Sequence, residues 1–270
     1  MGQHFGATPF LIAGPCVVEA DDLNLRIGEA LAELGAKLGV HVIYKASYDK
    51  ANRSLLKGAR GPGLERGLEA LATVRSETGL PILTDVHEAG QVPAAAQVAD
   101  VLQNAVFLCR QTDLLVAAGR AGRAVNVKKG QWLSPDAMQG AIEKVRAGGA
   151  PELAVTERGT FFGYGDLVVD MRNFARLRAV CGVPAVYDAT HAVQQPGRGE
   201  GGASGGLREF IPPLLYAAAA AGADGFFLET HPDPDRAPSD GPNMLPLDQL
   251  AGVVSVAIEV WQRAREAVRA

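Results

Sequence analysis

The sequence predicts an α/β fold, a single (β/α)8 TIM barrel over residues 1–270, and three observations predict it. Short aliphatic and β-branched runs recur along the chain, as expected of strands buried on both faces of a parallel sheet. Longer helical patterns separate them, giving eight strand–helix units, the number that closes such a barrel. No GxGxxG follows the first run, which counts against the alternative of a doubly wound open sheet. At 270 residues, with 47% hydrophobic and 21% charged, the chain can fill one large core.

The strands are expected at LIAGPCV from Leu11, HVIYKAS from His41, PILTDV from Pro81, VLQNAV from Val101, AVNVKK from Ala124, ELAVTER from Glu152, AVYDATH from Ala185 and GFFLETH from Gly225. The helices are expected over Asp22 to Leu38, Gly63 to Thr78, Glu88 to Ala99, Thr112 to Ala121, Ser134 to Ala147, Leu167 to Val180, Leu207 to Ala221 and Leu247 to Val268. Ser134-Pro135 supplies an N-cap and N1 pair for the fifth. Two loops stand out. KASYDKANRSLLKGARGPGLE follows the second strand, and the glycine-dense QQPGRGEGGASGG follows the seventh and reads as a lid.

The net charge of −4 and the absence of a basic run give no footprint for nucleic acid or anionic lipid. No segment approaches the roughly 20 uninterrupted apolar residues of a membrane span, and the N-terminus lacks the pattern of a signal peptide. Cys16, Cys109 and Cys181 are far apart with no CxxC pair, which argues for a reducing, cytoplasmic location. Cys109 and Cys181 read as core thiols.

Nearly every expected strand ends in a chemically capable side chain: Cys16; Lys45 and Ser47; Asp85 and His87; Arg110, Gln111 and Asp113; Asn126, Lys128, Lys129 and Gln131; Glu157 and Arg158; Asp188 and His191; Glu229 and His231. In a barrel these ends converge on one mouth, where barrel enzymes place their chemistry. Charge at so many strand ends costs desolvation that a purely structural protein has no reason to bear. Lys45, Lys50, Lys128 and Arg158 can surround a small, highly charged anion, and Arg53, beside Asn52 and Ser54, can hold a second phosphate. Cys16, His191, Glu229 and Asp240 together make a mixed S/N/O set for a borderline divalent metal.

The segments IAGPC, KASYDKANRS, RGPGLE, TDVHE, CRQTDLL, NVKKGQ, FGYGDLVVDMR, YDATHAVQ, ASGG and ETHPDPDRAPSDGP, in order from about Leu11 to about Leu250, closely resemble the 3-deoxy-D-manno-octulosonate 8-phosphate synthases. KANRS distinguishes that family from the related 3-deoxy-arabino-heptulosonate 7-phosphate synthases, which carry a KPRT-type motif there. The resemblance implies a TIM-barrel transferase, usually a homotetramer, that condenses phosphoenolpyruvate with D-arabinose 5-phosphate and water and releases phosphate, feeding lipopolysaccharide biosynthesis. By position it assigns Lys45, Ser47, Lys50, Lys128, Gln131 and Arg158 to phosphoenolpyruvate. Asn52, Arg53 and Ser54 fall to arabinose 5-phosphate, and Asp85 and His87 to the reacting centre. Cys16, where another branch of the family has Asn, implies the metal-dependent branch, with His191, Glu229 and Asp240 completing the ligands; Zn, Fe, Mn and Co all suit them. His191 and Asp240 then have catalytic roles beside Lys50 and Lys128.

The chain departs from the family at Asn104-Ala105-Val106, where Ile/Leu-Pro-Ala is usual after Gln103, and at Phe161, where smaller or polar residues are common. Three other readings stay open on sequence: a heptulosonate synthase using erythrose 4-phosphate, a Schiff-base aldolase, and a sugar-phosphate-binding barrel without turnover.

Overall fold

A computed structural model describes residues 3–6, 9–53, 56–199 and 204–269. The eight runs form one closed ring: β1 (Phe10–Val17), β2 (His41–Ser47), β3 (Ile82–Val86), β4 (Val101–Asn104), β5 (Ala124–Lys128), β6 (Leu153–Glu157), β7 (Ala185–Asp188) and β8 (Gly225–His231). Each strand pairs in parallel with the next, and β1 also pairs with β8, from Phe10 opposite Gly225 to Gly14 opposite Glu229. Closure leaves the ring without an open edge.

The helices are α1 (Asp21–Leu38), α2 (Leu64–Thr78), α3 (Val92–Val98), α4 (Thr112–Arg120), α5 (Gln139–Gly148), α6 (Asn173–Cys181), α7 (Ile211–Ala220) and α8 (Leu247–Arg269). The first shows why they form. Asp21 and Asp22 occupy its positive end and Lys37 its negative end, Ile27, Leu31 and Leu34 face the wall, and Gly39 stops it in the left-handed region.

Two apolar layers result. The outer one lies between wall and helices and includes Leu11, Val42, Tyr44, Val86, Val125, Tyr187 and Leu228. The inner one fills the bottom of the ring with Phe10, Ile12, Ile43, Leu83, Val101, Ala124, Ala154, Val186 and Phe227. Phe5 closes that end, because Glu152 accepts the backbone N–H groups of Gln3, His4 and Phe5.

Four expected helices differ. The stretch Leu167 to Val180 begins as a strand, Leu167–Val168 pairing antiparallel with Thr160–Phe161, and the helix starts only at Asn173. Gly163 and Gly165 take positive φ and turn this hairpin, and Asp170 gathers Arg172 and Arg176 ahead of the helix. Ser134 Oγ accepts the Ala137 N–H at 3.4 Å, yet the chain winds first as a 3-10 turn, Asp136–Met138, before α5. Similar turns, Ala89–Gln91 and Arg208–Phe210, precede α3 and α7, each of which has proline in its first turn. Gln194–Gln195 and Gly205–Gly206 pair as the base of the expected lid; residues 200–203 of that loop lie outside the described residues, as do 54 and 55 of the loop after β2.

Candidate active site

Side chains on a strand alternate between faces, so positions two beyond the inner apolar layer point into the same interior, nearer the mouth. Those positions are Lys45, Asp85, Gln103, Asn126, Thr156, Asp188 and Glu229, all buried. Seven of the eight strands, β2 to β8, therefore change from apolar to polar in one step up the axis, and Lys128 and Arg158 stand a step higher still.

Hydrogen bonds run across five strands. Lys50 Nζ donates to Ser47 Oγ at 3.1 Å, and Ser47 Oγ donates to Asp85 Oδ2. Gln103 Nε2 donates to Asp85 Oδ1 at 2.7 Å, Asn126 Nδ2 to Gln103 Oε1 at 2.8 Å, and Thr156 Oγ1 to Asn126 Oδ1 at 2.8 Å. Gln103 and Thr156 were not among the sequence candidates. Counting by twos from Val101 and Ala154 would have found them.

Lys45 Nζ lies 2.8 Å from Glu229 Oε1 and 3.6 Å from Asp85 Oδ2, and donates to the Cys16 carbonyl at 3.0 Å. Burial alone would strip its proton, but Glu229 and then Asp85 overcome that and hold the ammonium well above its ordinary range. Burial likewise opposes ionisation of Asp85, and Lys45 and Lys50 outweigh it, so the carboxyl titrates far below the usual carboxylate range. Lys128 Nζ sits 3.3 Å from the centroid of the Phe227 ring and is ion-paired with Asp188. Burial pushes this ammonium below its ordinary value, against the pull of Asp188.

Three of the four metal candidates meet at one side of the mouth, with the fourth beside them. One ligand atom each from Cys16, Glu229 and Asp240 lie within 4.8 Å of one another. His191 joins from the carboxylate side, with Nε2 3.6 Å from Glu229 Oε2 and 3.9 Å from Asp240 Oδ2. Its Nδ1 is 2.9 Å from Asp188 Oδ2, which fixes Nδ1 as the donor and leaves the Nε2 lone pair facing the cluster. Cys16 and Asp240 are the only non-glycine residues with positive φ among the described residues, at 66° and 55°. Strained backbone at both points is what a site that must aim two side chains would carry. Gly14 permits the turn at Cys16, since a Cβ there would lie 2.0 Å from the Lys45 carbonyl oxygen.

The chemistry of the cluster fits a cation. Glu229 Oε2 is buried with no hydrogen-bond partner among the described residues. Burial, then Glu229, push the Cys16 thiol far above its ordinary value, so without a cation the sulfur keeps its proton and donates it to Asp240 Oδ2 at 3.2 Å. A bound divalent ion would take the place of that proton and satisfy the free carboxylate oxygen.

Arg158 is 3% exposed; its Nη2 donates to Gln194 Oε1 at 2.5 Å, and its Nε and Nη1 are buried without partners among the described residues, as is Gln131 Oε1. Further out, Arg53 donates to the Ala59 carbonyl at 2.7 Å and to Ser239 Oγ at 2.8 Å. Asn52 is exposed, and Ser54 lies outside the described residues. His87 stands apart from the cluster: its ring packs edge-on against Tyr48 and makes no hydrogen bond among the described residues. Burial lowers its imidazole below the ordinary value.

Asn104 departs from the family and is fully buried at the end of β4, with both amide atoms unpartnered among the described residues. An unsatisfied buried amide is destabilising, so Asn104→Leu is expected to stabilise the fold by about 1–2 kcal/mol. Thermal melting checks this, and a lower melting temperature would show that the amide is satisfied.

The DAHP synthetase I family model matches residues 5–266. A protein of Syntrophotalea carbinolica named 2-dehydro-3-deoxyphosphooctonate aldolase is 57% identical over 240 residues, covering 89% of this chain and 86% of its own. Proteins of the same name from Rhodopseudomonas palustris and Nitratidesulfovibrio vulgaris are 52% and 51% identical; they cover 92% and 96% of this chain and 86% and 94% of their own lengths. With that similarity across nearly the whole barrel, the chain belongs to the DAHP synthetase I family and, within it, to the 2-dehydro-3-deoxyphosphooctonate aldolases.

Proposed function

We propose that this enzyme condenses phosphoenolpyruvate with D-arabinose 5-phosphate and water to give 3-deoxy-D-manno-octulosonate 8-phosphate and inorganic phosphate. One catalytic domain does this, with a divalent cation held by Cys16, His191, Glu229 and Asp240. The observation that carries the reading is the unfilled hydrogen-bonding capacity of Arg158 and Gln131, buried in a mouth that also holds Lys45, Lys50 and Lys128. Desolvated cations with free donors bind a compact polyanion strongly.

In the reaction, C3 of the enol forms a bond to the aldehyde carbon of the open-chain pentose, whose oxygen takes up a proton. Water adds at C2 and loses a proton; the C2–O bond to phosphate then breaks as the C2 carbonyl forms, and the remaining hydroxyl proton leaves with the phosphate. Lys45, Lys128, Gln131 and Arg158 hold the phosphoenolpyruvate carboxylate and phosphate, with Ser47 and Lys50 at the edge. Arg53, with Asn52 and Ser54, holds the pentose phosphate. Asp85 and Asp240, kept ionised by their neighbours, orient the water and sugar hydroxyls in the mouth, His191, oriented by Asp188, presents Nε2 to the cation, and His87 stands behind them. A cation bound there supplies Lewis acidity and orientation. The S/N/O donors suit Zn, Fe, Mn or Co.

Three unpaired, buried thiols fit a reducing, cytoplasmic location. None of the described helices is long and apolar enough to cross a membrane. Phe107, Trp132, Phe161 and Phe162 are large exposed apolar side chains, which supports assembly as a homotetramer that covers them.

Mixing both substrates with the purified enzyme is expected to release stoichiometric inorganic phosphate, with arabinose 5-phosphate preferred over erythrose 4-phosphate. No release would leave a binding barrel, and a preference for the four-carbon acceptor would make the enzyme a heptulosonate synthase.

A further inference from the structure

Asp240 is the junction of two hydrogen-bonded arms. Its Oδ1 accepts from Gln194 Nε2 at 2.8 Å, and Gln194 Oε1 accepts from Arg158 Nη2 at 2.5 Å. Its Oδ2 accepts from Ser239 Oγ at 3.0 Å, and Ser239 Oγ accepts from Arg53 Nη1 at 2.8 Å. Gln194 is 8% exposed and Ser239 4%. The sense of each arm is fixed by chemistry. A guanidinium can only donate, so the Gln194 oxygen must face Arg158 and its NH2 must face Asp240; by the same rule the single Ser239 hydroxyl proton goes to Asp240. Each arm therefore runs in one direction, from an anion-binding arginine to the same carboxylate. The Asp240 backbone is in the left-handed region, and its carboxylate is held by these arms at both oxygens.

We infer that Gln194 and Ser239 are positioning residues that couple the two substrate anion sites to the cation site through Asp240. Gln194 serves the phosphoenolpyruvate side through Arg158, and Ser239 serves the pentose phosphate side through Arg53. An anion that engages either arginine changes what that arginine gives to its arm, and so re-aims one oxygen of Asp240. Coupling of this kind is reciprocal: a substrate that changes cation affinity has its own affinity changed by the same factor. The inference rests on the proposed substrates for the identity of the two anions.

The test titrates Mn²⁺ into chelator-stripped enzyme by calorimetry, alone, with phosphoenolpyruvate, and with arabinose 5-phosphate. In the wild type each substrate is expected to tighten Mn²⁺ binding by about tenfold. Gln194→Leu is expected to remove most of the phosphoenolpyruvate-linked shift and to leave the pentose-linked shift intact; Ser239→Ala should do the reverse. The through-space field of each anion is common to wild type and variant, so the difference isolates the arm. Shifts that survive in both variants, or that vanish together in each, overturn the inference, as does a wild type that binds both substrates and metal with no shift. If Gln194→Leu does not fold, Ser239→Ala decides alone. A wild type that turns over neither substrate pair fails the phosphate-release assay first, which overturns the functional reading and takes the arms with it.

Discussion

Complete removal of metal by a chelator is expected to abolish turnover, and adding back a divalent cation to restore it. Cys16, Glu229 and Asp240 bring ligand atoms within 4.8 Å, and His191 Nε2 is close to both carboxylates. Without a cation, two ionised carboxylates lie together beside a thiol that burial keeps protonated, and Glu229 Oε2 has no hydrogen-bond partner among the described residues. Such a cluster can neither polarise an aldehyde nor bind the attacking water, so the loss should be at least ~10³-fold in kcat, of the order seen when electrostatic stabilisation of a transition state is removed. The assay is phosphate release in protein whose metal content is verified by elemental analysis. Full activity in a metal-free sample would put this chain in the metal-independent branch despite Cys16.

Lys128→Met is expected to lower kcat/KM for phosphoenolpyruvate by about 10²–10³-fold, the effect of deleting one charge-assisted contact from a desolvated site. Lys128 pairs with Asp188, which in turn holds His191. The substitution therefore removes a substrate cation and also leaves Asp188 buried with less compensating charge. The two effects separate by measurement. Loss of the substrate contact raises KM for phosphoenolpyruvate with little change for the pentose, whereas disturbance of His191 lowers kcat for both. A kcat/KM near that of the wild type would exclude Lys128 from the site.

Much of this was legible in the linear sequence because the physics was local. The near-continuous runs at HVIYKAS and GFFLETH had to be strands buried on both sides, and Gly39 had to end the first helix. Leu167-Val168 misled because a two-residue strand has no periodicity of its own and is made by its partner Thr160–Phe161. The charges at the strand ends were visible one by one. Their meeting was not, because only the closed ring brings Lys45 Nζ within 2.8 Å of Glu229 and 3.6 Å of Asp85.

Gln194 and Ser239 illustrate the other limit. Both lie in motifs that carry the resemblance, YDATHAVQ and ETHPDPDRAPSDGP, but a neutral amide and a hydroxyl have no charge or metal-ligand spacing to assign them a role, and contacts between residues 36, 46 and 186 positions apart depend on closure of the ring. Residue types and their alternation determined that this chain would form a parallel barrel with a polar mouth, since burial periodicity is a property of consecutive residues. Which carboxylate meets which cation, and that Asp240 stands between both arginines, only the tertiary structure decided, because those energies depend on distances the closed ring sets.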